Sequence, residues 1–181
     1  MHYNQSIILK NEKTALLRNG VKSDGAAVLE VFNLAHEETD YLLSYPDENS
    51  FNAEQEGEFL ERKAISPNEI ELVAIVDDKI VGTAGIDAIG SQYKIRHRTE
   101  FGINILKAYW GLGIGHALLN ACIACAREAG YTQMELSVVA ENTNAIALYQ
   151  KMGFVEYGRN PKGFHSRFNG FQEIILMRLT L

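Results

Sequence analysis

The chain has 181 residues, 46% hydrophobic and 22% charged, enough for one domain with a sizeable core. Seventeen basic against 23 acidic residues leave a formal charge of −6, which argues against nucleic acid as the main partner. No apolar run approaches the ~20 residues of a membrane-spanning helix, the start Met1-His-Tyr-Asn-Gln lacks the form of a signal peptide, and two cysteines indicate no disulfide framework, so a cytoplasmic protein is expected.

Ser6 to Lys10 and Thr14 to Val21 read as short strands joined by the turn Asn11-Glu12-Lys13. Ser23 is a candidate cap for a following helix, and Asp24 suits its first turn. A loop with Pro46 and several acidic residues follows. Asn52 with Gln55 three residues later forms a capping box for a second helix, through Phe59 and Leu60 to about Ala64. Glu71 to Val76 is a strand, Asp77-Asp78-Lys79 a hairpin turn and Ile80 to Ile89 the returning strand. Tyr93 to Leu106 alternates loosely and reads as one long strand. A helix follows with Leu118, Leu119, Cys122, Ile123 and Ala126 on one face, closed by Gly130. Met134 to Val139 is a strand, Thr143 to Met152 a helix capped by Asn142 and closed by Gly153. Phe154 to Gly158 and Phe171 to Leu179 are the last strands, with Asn160 to Asn169 as their loop. The order predicts a mixed α/β domain with helices on both faces of one sheet.

Two stretches carry chemistry. In Tyr109-Trp-Gly-Leu-Gly-Ile-Gly-His116, glycines 111, 113 and 115 lie between a strand and a helix. That arrangement leaves unpaired backbone N–H groups pointing at an anion, with the helix dipole behind them. A nucleotide P-loop is excluded, because Gly115-His116-Ala117 stands where Gly-Lys-Ser/Thr would be needed. The second stretch runs from Ser137 to Phe154. There Asn142 caps a helix, and Tyr149 is either a core aromatic or a phenol that can protonate a leaving thiolate.

Together these stretches resemble the GNAT superfamily of acetyl-CoA-dependent N-acetyltransferases. The family signature Gln/Arg-x-x-Gly-x-Gly/Ala is echoed in Trp110-Gly-Leu-Gly113-Ile-Gly115, and Asn-x-x-Ala-Ile-x-Leu-Tyr-x-Lys-x-Gly-Phe is matched at every fixed position from Asn142 to Phe154. The resemblance is good over Ile70 to Leu181 and holds only in outline before it. It implies a single α/β (α+β) domain over residues 1–181, with a mostly antiparallel mixed sheet of about seven strands. It also implies that backbone groups of the Ile103, Asn104, Ile105 segment pair with the pantetheine arm of acetyl-CoA. Amides of Gly111, Leu112, Gly113, Ile114, Gly115 and His116 would cradle its pyrophosphate, Asn142 would bond near the pantetheine, and Tyr149 would protonate the departing thiolate. Trp110 departs from the usual Gln or Arg, so altered packing is expected near the phosphates. No metal is implied. A homodimer through the C-terminal strands is plausible by resemblance.

Direct attack by an amine on a thioester needs a neutral amine, a base and a donor for the developing oxyanion, which a backbone N–H near Ile105 can supply. Glu100 is the first candidate base, with His97 and His165 behind it. Cys122 and Cys125 sit inside a helix and are read as packing residues. Glu37, Glu38, Asp40, Asp47 and Glu48 lie on the expected acceptor side, as solvated surface or as an attraction for a cationic amine. The expected acceptor is a primary amine on a small molecule such as an amino acid, polyamine or antibiotic-like compound. The alternatives are a protein N-terminus or lysine, and a non-catalytic acyl-CoA sensor.

Overall fold

Alternation of apolar and polar residues builds one eight-stranded sheet in the computed structural model, which describes residues 1–181. The strands are β1 (Asn4–Ile8), β2 (Thr14–Asn19), β3 (Ile70–Val76), β4 (Lys79–Ala88), β5 (Arg98–Ile105), β6 (Gln133–Val139), β7 (Val155–Ser166) and β8 (Gly170–Thr180). Their spatial order is β1-β2-β3-β4-β5-β6-β8-β7, and only β5 and β6 run parallel. Four helices complete the fold: α1 (Gly25–Glu38), α2 (Ala53–Ile65), α3 (Ile114–Glu128) and α4 (Thr143–Lys151).

Strand alternation sorts the core onto two faces. Leu72 and Ala74 of β3, Ala84 and Ile86 of β4, and Phe101 of β5 belong to the cluster that holds Leu118, Leu119, Cys122 and Ala126 of α3. Val73, between Leu72 and Ala74, points the other way and packs with Val28 of α1 and Leu60 of α2. Each fully buried aliphatic side chain contributes roughly 1.5–3 kcal/mol. Thus α3 covers one face, and α1 with α2 covers the other.

Local signals fix several ends. Asn52 and Gln55 exchange both capping-box hydrogen bonds at 2.9 Å. Gly130 (φ +82°) and Gly153 (φ +93°) turn the chain out of α3 and α4 in the left-handed region. Asp77 and Asp78 both have positive φ, 49° and 61°, as a two-residue hairpin turn demands.

The sequence expectation needs four corrections. The sheet has eight strands, not about seven. The strand expected from Tyr93 opens only at Arg98, because the amides of Ile95 and Arg96 turn back to the Gln92 carbonyl at 2.9 Å. β7 runs on through Pro161 to Ser166, where a loop was expected. β7 is an edge strand, and its register slips between Asn160 and Phe164, so the missing proline N–H breaks no ladder bond. Finally, Ser23 lies within a 3-10 turn, Lys22–Asp24, and α1 starts after it. The Asp24 carboxylate accepts from Arg18 at 2.6 and 2.9 Å and from the Val21 amide at 2.9 Å.

Candidate active site

The site is built on the place where β5 and β6 part. Their ladder joins only Arg98, Thr99 and Glu100 to Gln133, Met134 and Glu135. Beyond Glu100, β5 stays paired to β4 and β6 to β8, so a gap opens between them. Hydrogen bonds from Leu106 N–H to the Val81 carbonyl and from Ile89 N–H to the Arg98 carbonyl set the phase of the β4–β5 ladder. Even-numbered residues of β5 therefore bond to β4, and Ile103 and Ile105 direct their N–H and C=O groups into the gap. The Trp110 indole N–H donates to the Ile105 carbonyl at 2.7 Å. The indole satisfies the last strand carbonyl, while the Ile105 N–H and both groups of Ile103 still face the gap.

At the open end of the gap stands the glycine turn. Gly111 (φ +74°) and Gly113 (φ +102°) are left-handed, and a Cβ on either would meet nothing within 4 Å, so backbone conformation and not space demands glycine. Gly115 has ordinary φ; a Cβ there would touch Ile105 and Leu148 at 3.5 Å, which sets how closely α3 approaches β5. The Leu112 carbonyl is held outward by the Lys10 amide at 3.1 Å. The first helical bond runs from Ala117 N–H to the Gly113 carbonyl. The six amides from Gly111 to His116 donate to no group of the protein. Six free N–H groups at the N-terminus of a 15-residue helix fit a pyrophosphate.

Tyr149 of α4 closes the α3 side of the gap. It is 7% exposed and packs edge-on against Phe101 at 6.3 Å and tilted against Phe154 at 5.8 Å. Its hydroxyl has no partner in the protein, and burial pushes its pKa up to about 12. Asn142 caps α4, its side-chain oxygen accepting from the Ala145 amide at 3.3 Å, and keeps its NH₂ donors free of protein partners.

Glu100 lies on the other side. It pairs with Asp87 on β4 and Glu135 on β6, so its side chain shares their face, the one covered by α1 and α2. The structure thus places Tyr149 and Glu100 on opposite sides of the sheet, flanking the gap. Glu100 stands where the strands part. Glu100, Gly102 and Ser137 are all exposed although they lie in central strands, which marks a cleft on that face. Neither histidine is placed as well. His97 precedes β5, at the closed end, where its carbonyl accepts from the amides of Thr132 and Gln133. His165 stacks on Phe171 at 4.5 Å in the β7–β8 hairpin. Cys122 and Cys125 are buried in α3.

Three features had no signal in the sequence. Most of the acidic segment is engaged with the protein itself: Glu38 accepts from the Lys107 amide at 2.6 Å, Asp40 from Ser166, Asn169 and Tyr45, and Asp47 and Glu48 from Arg167. Asn104 turns its amide to the Thr83 hydroxyl at 3.2 Å, leaving its side-chain oxygen buried without a partner. Glu71 lays its carboxylate over Gly85, where any Cβ would collide with it, and burial pushes its pKa up to about 7.

This geometry defines the class. Residues 29–154 match the acetyltransferase (GNAT) family, and the chain belongs to it. The chain is 24% identical over 165 residues to the L-amino acid N-acyltransferase MnaT of Escherichia coli (strain K12), covering 91% of this chain and 93% of that protein. It is 32% identical over 103 residues to the L-amino acid N-acetyltransferase AaaT of the same organism, covering 56% of this chain and 63% of that protein. The crystal structure of a GNAT-family acetyltransferase from Streptococcus pneumoniae superposes with a TM-score of 0.88 and 32% identity, over 92% of this chain and 99% of that one. YncA of Salmonella typhimurium, solved with its cofactor acetyl-CoA, shares the fold at a TM-score of 0.81 and 23% identity, over 92% and 94% of the two chains.

Proposed function

We propose that this enzyme transfers the acetyl group of acetyl-CoA to a primary amine on a small molecule by direct attack. The observation that carries this reading is the run of six free amides, Gly111 to His116, set beside the unpaired edge of β5. Acetyl-CoA supplies the activated acetyl group. The amides from Gly111 to His116 hold its pyrophosphate, Ile103 and Ile105 hold its pantetheine arm as an added strand would, and the free NH₂ of Asn142 bonds near the pantetheine. The Ile103 N–H, which faces the gap two residues nearer Glu100 than Ile105, donates to the acyl oxygen as charge builds there, leaving the Ile103 carbonyl and the Ile105 N–H to the pantetheine arm. Glu100 takes the proton of the attacking amine from the cleft side. Tyr149, neutral across the physiological range, gives its proton to the thiolate from the other side. The L-amino acid activity named for two relatives makes amino acids the first acceptors to try.

The test is thiol release from acetyl-CoA against amino acids, polyamines, aminoglycosides and peptides. Turnover on a small amine is expected. Transfer to peptides alone would move the substrate to protein N-termini or lysines, and acetyl-CoA binding without any acceptor would make the chain a sensor. Glu100→Gln is expected to lower kcat/KM about 10²-fold or more at neutral pH while leaving the acetyl-CoA dissociation constant unchanged. Equal turnover by the variant removes Glu100 as base.

A further inference from the structure

A row of one carboxylate and two glycines crosses the sheet on the face of α1 and α2. Glu71 of β3 shares that face with Val73, which packs on Val28 and Leu60. Glu71 pairs with Gly85 of β4, and Gly85 pairs with Gly102 of β5, the strand that lines the gap. Gly85 lets the Glu71 side chain lie across β4, since a Cβ there would collide with its carboxylate. At Gly102, which is exposed, a Cβ would meet nothing within 4 Å. Adjacent strands lie about 4.8 Å apart. The Glu71 carboxylate thus stands one strand away from an open place at the edge of the gap. Glu100, two residues before Gly102 on the same face, borders that place along β5.

The charges around this place are unbalanced. The Lys63 ammonium of α2, whose charge acts on Glu71, is bound to the Ile86 carbonyl at 3.1 Å and to Asp87, with Glu69 at 3.8 Å. The Arg98 guanidinium on β5 is paired with Glu135. Glu56 and Asp87 add negative charge near Glu71. The Thr83 hydroxyl donates to the Glu71 carboxylate and accepts from the Asn104 amide at 3.2 Å. Asn104, the next residue after Gly102 on this face, keeps its side-chain oxygen without a donor. Both cations are engaged elsewhere, and the groups that border the open place are acceptors. A carboxylate held away from water gains more from an opposite charge than one in bulk solvent does.

We infer that Glu71 is a specificity-determining residue that binds a second ammonium group of the acceptor, while the reacting amine meets the acetyl group beside Glu100. The inference rests on the reading that amines enter on the Glu100 side. It makes the acceptor a small amine with a further cationic group, such as a short diamine, and disfavours a carboxylate at the same distance from the reacting nitrogen. The ammonium lies over Gly85 and Gly102 and donates to the Glu71 carboxylate. Replacing either glycine by a residue with a side chain would fill the place it occupies.

The test uses three amines of similar chain length: putrescine, n-butylamine and γ-aminobutyrate, which end in an ammonium, a methyl group and a carboxylate. Wild-type kcat/KM is expected to fall in that order, with putrescine ahead of n-butylamine about tenfold or more, as a charge-assisted hydrogen bond implies. In Glu71→Gln that advantage should be lost, through a higher KM for putrescine, and the handicap of γ-aminobutyrate should shrink. Acetyl-CoA affinity serves as the control for folding of the variant. Equal putrescine preference in the two proteins overturns the inference, as does a wild type that prefers γ-aminobutyrate. Calorimetry in the presence of CoA gives a readout independent of turnover. Putrescine should bind the wild type about tenfold more tightly than it binds Glu71→Gln, and equal binding, or none, overturns the inference. Charge-dependent binding of putrescine by a protein that releases no thiol with any amine would strike the proposed function and leave the Glu71 site standing.

Discussion

Tyr149 shows how burial preserves a proton. Its hydroxyl finds no protein partner, and burial alone pushes the pKa up to about 12, so at neutral pH the phenol is wholly protonated. Tyr149→Phe keeps the ring contacts with Phe101 and Phe154 and removes only the proton donor. Turnover is expected to fall about 10²-fold, with the acetyl-CoA dissociation constant unchanged by calorimetry. No protein hydrogen bond is lost, so stability at pH 7 should stay within about 0.5 kcal/mol. The alkaline limb distinguishes the two proteins further. A folded pKa of about 12 against 10.0 unfolded gives a contribution that is complete below pH 10 and fades as pH rises towards 12. The variant lacks that loss. Undiminished turnover in Tyr149→Phe would leave the residue as a core aromatic only.

At the scale of elements, the glycine turn before α3 works through backbone conformation. Gly113 sits at φ +102° with open space around its missing Cβ. Gly113→Ala should therefore cost about 1–2 kcal/mol from the left-handed backbone and turn the following amides off their common target, weakening acetyl-CoA binding about tenfold or more. Gly115→Ala, with ordinary φ and new contacts at 3.5 Å, should do much less. Melting and titration of the two variants check the order; equal effects would mean that crowding and not φ governs the turn. This element was legible in the sequence because its information is local, as were the Asn52–Gln55 capping box and the closing glycines 130 and 153. What was not legible depended on partners far along the chain. β7 continues through Pro161 because it lies at the sheet edge with a slipped register against β8, and neither fact is written in residues 155–166. The role of Trp110 likewise appeared only when β5 placed the Ile105 carbonyl 2.7 Å from the indole.

At the scale of the whole molecule, the side of the gap proposed for acetyl-CoA carries contiguous motifs, while the opposite side is assembled from α1, its trailing loop, β5 and the distant β7–β8 hairpin, with no contiguous signature. Glu71, on the same face of the sheet as Gly85 and Gly102, makes the fold's stability depend on pH in a direction opposite to Asp24, Asp40 and Glu135. Asp24, Asp40 and Glu135 are held below their ordinary values by hydrogen bonds and ion pairs, so they support the fold above the unfolded carboxylate range and lose that support as the solution is acidified. Glu71 is raised instead, from 4.5 to about 7: burial dominates, and the Thr83 hydroxyl and the Lys63 charge oppose it only in part. Its favourable contribution is complete below pH 4.5, where the carboxyl is neutral in both states, and is lost as pH rises through 7 because the unfolded chain releases the proton first. Glu71→Gln has no proton to lose at this position. Its melting temperature should match the wild type near pH 4 and exceed it from pH 7.5 upward, by several degrees for a difference of roughly 1–3 kcal/mol. The Lys63 ammonium stays bound to Asp87 and to the Ile86 carbonyl in the variant, so the comparison isolates the Glu71 carboxyl. Parallel melting curves from pH 4 to 8 would show that Glu71 ionises as an ordinary surface carboxylate and that β3 holds its charge without penalty.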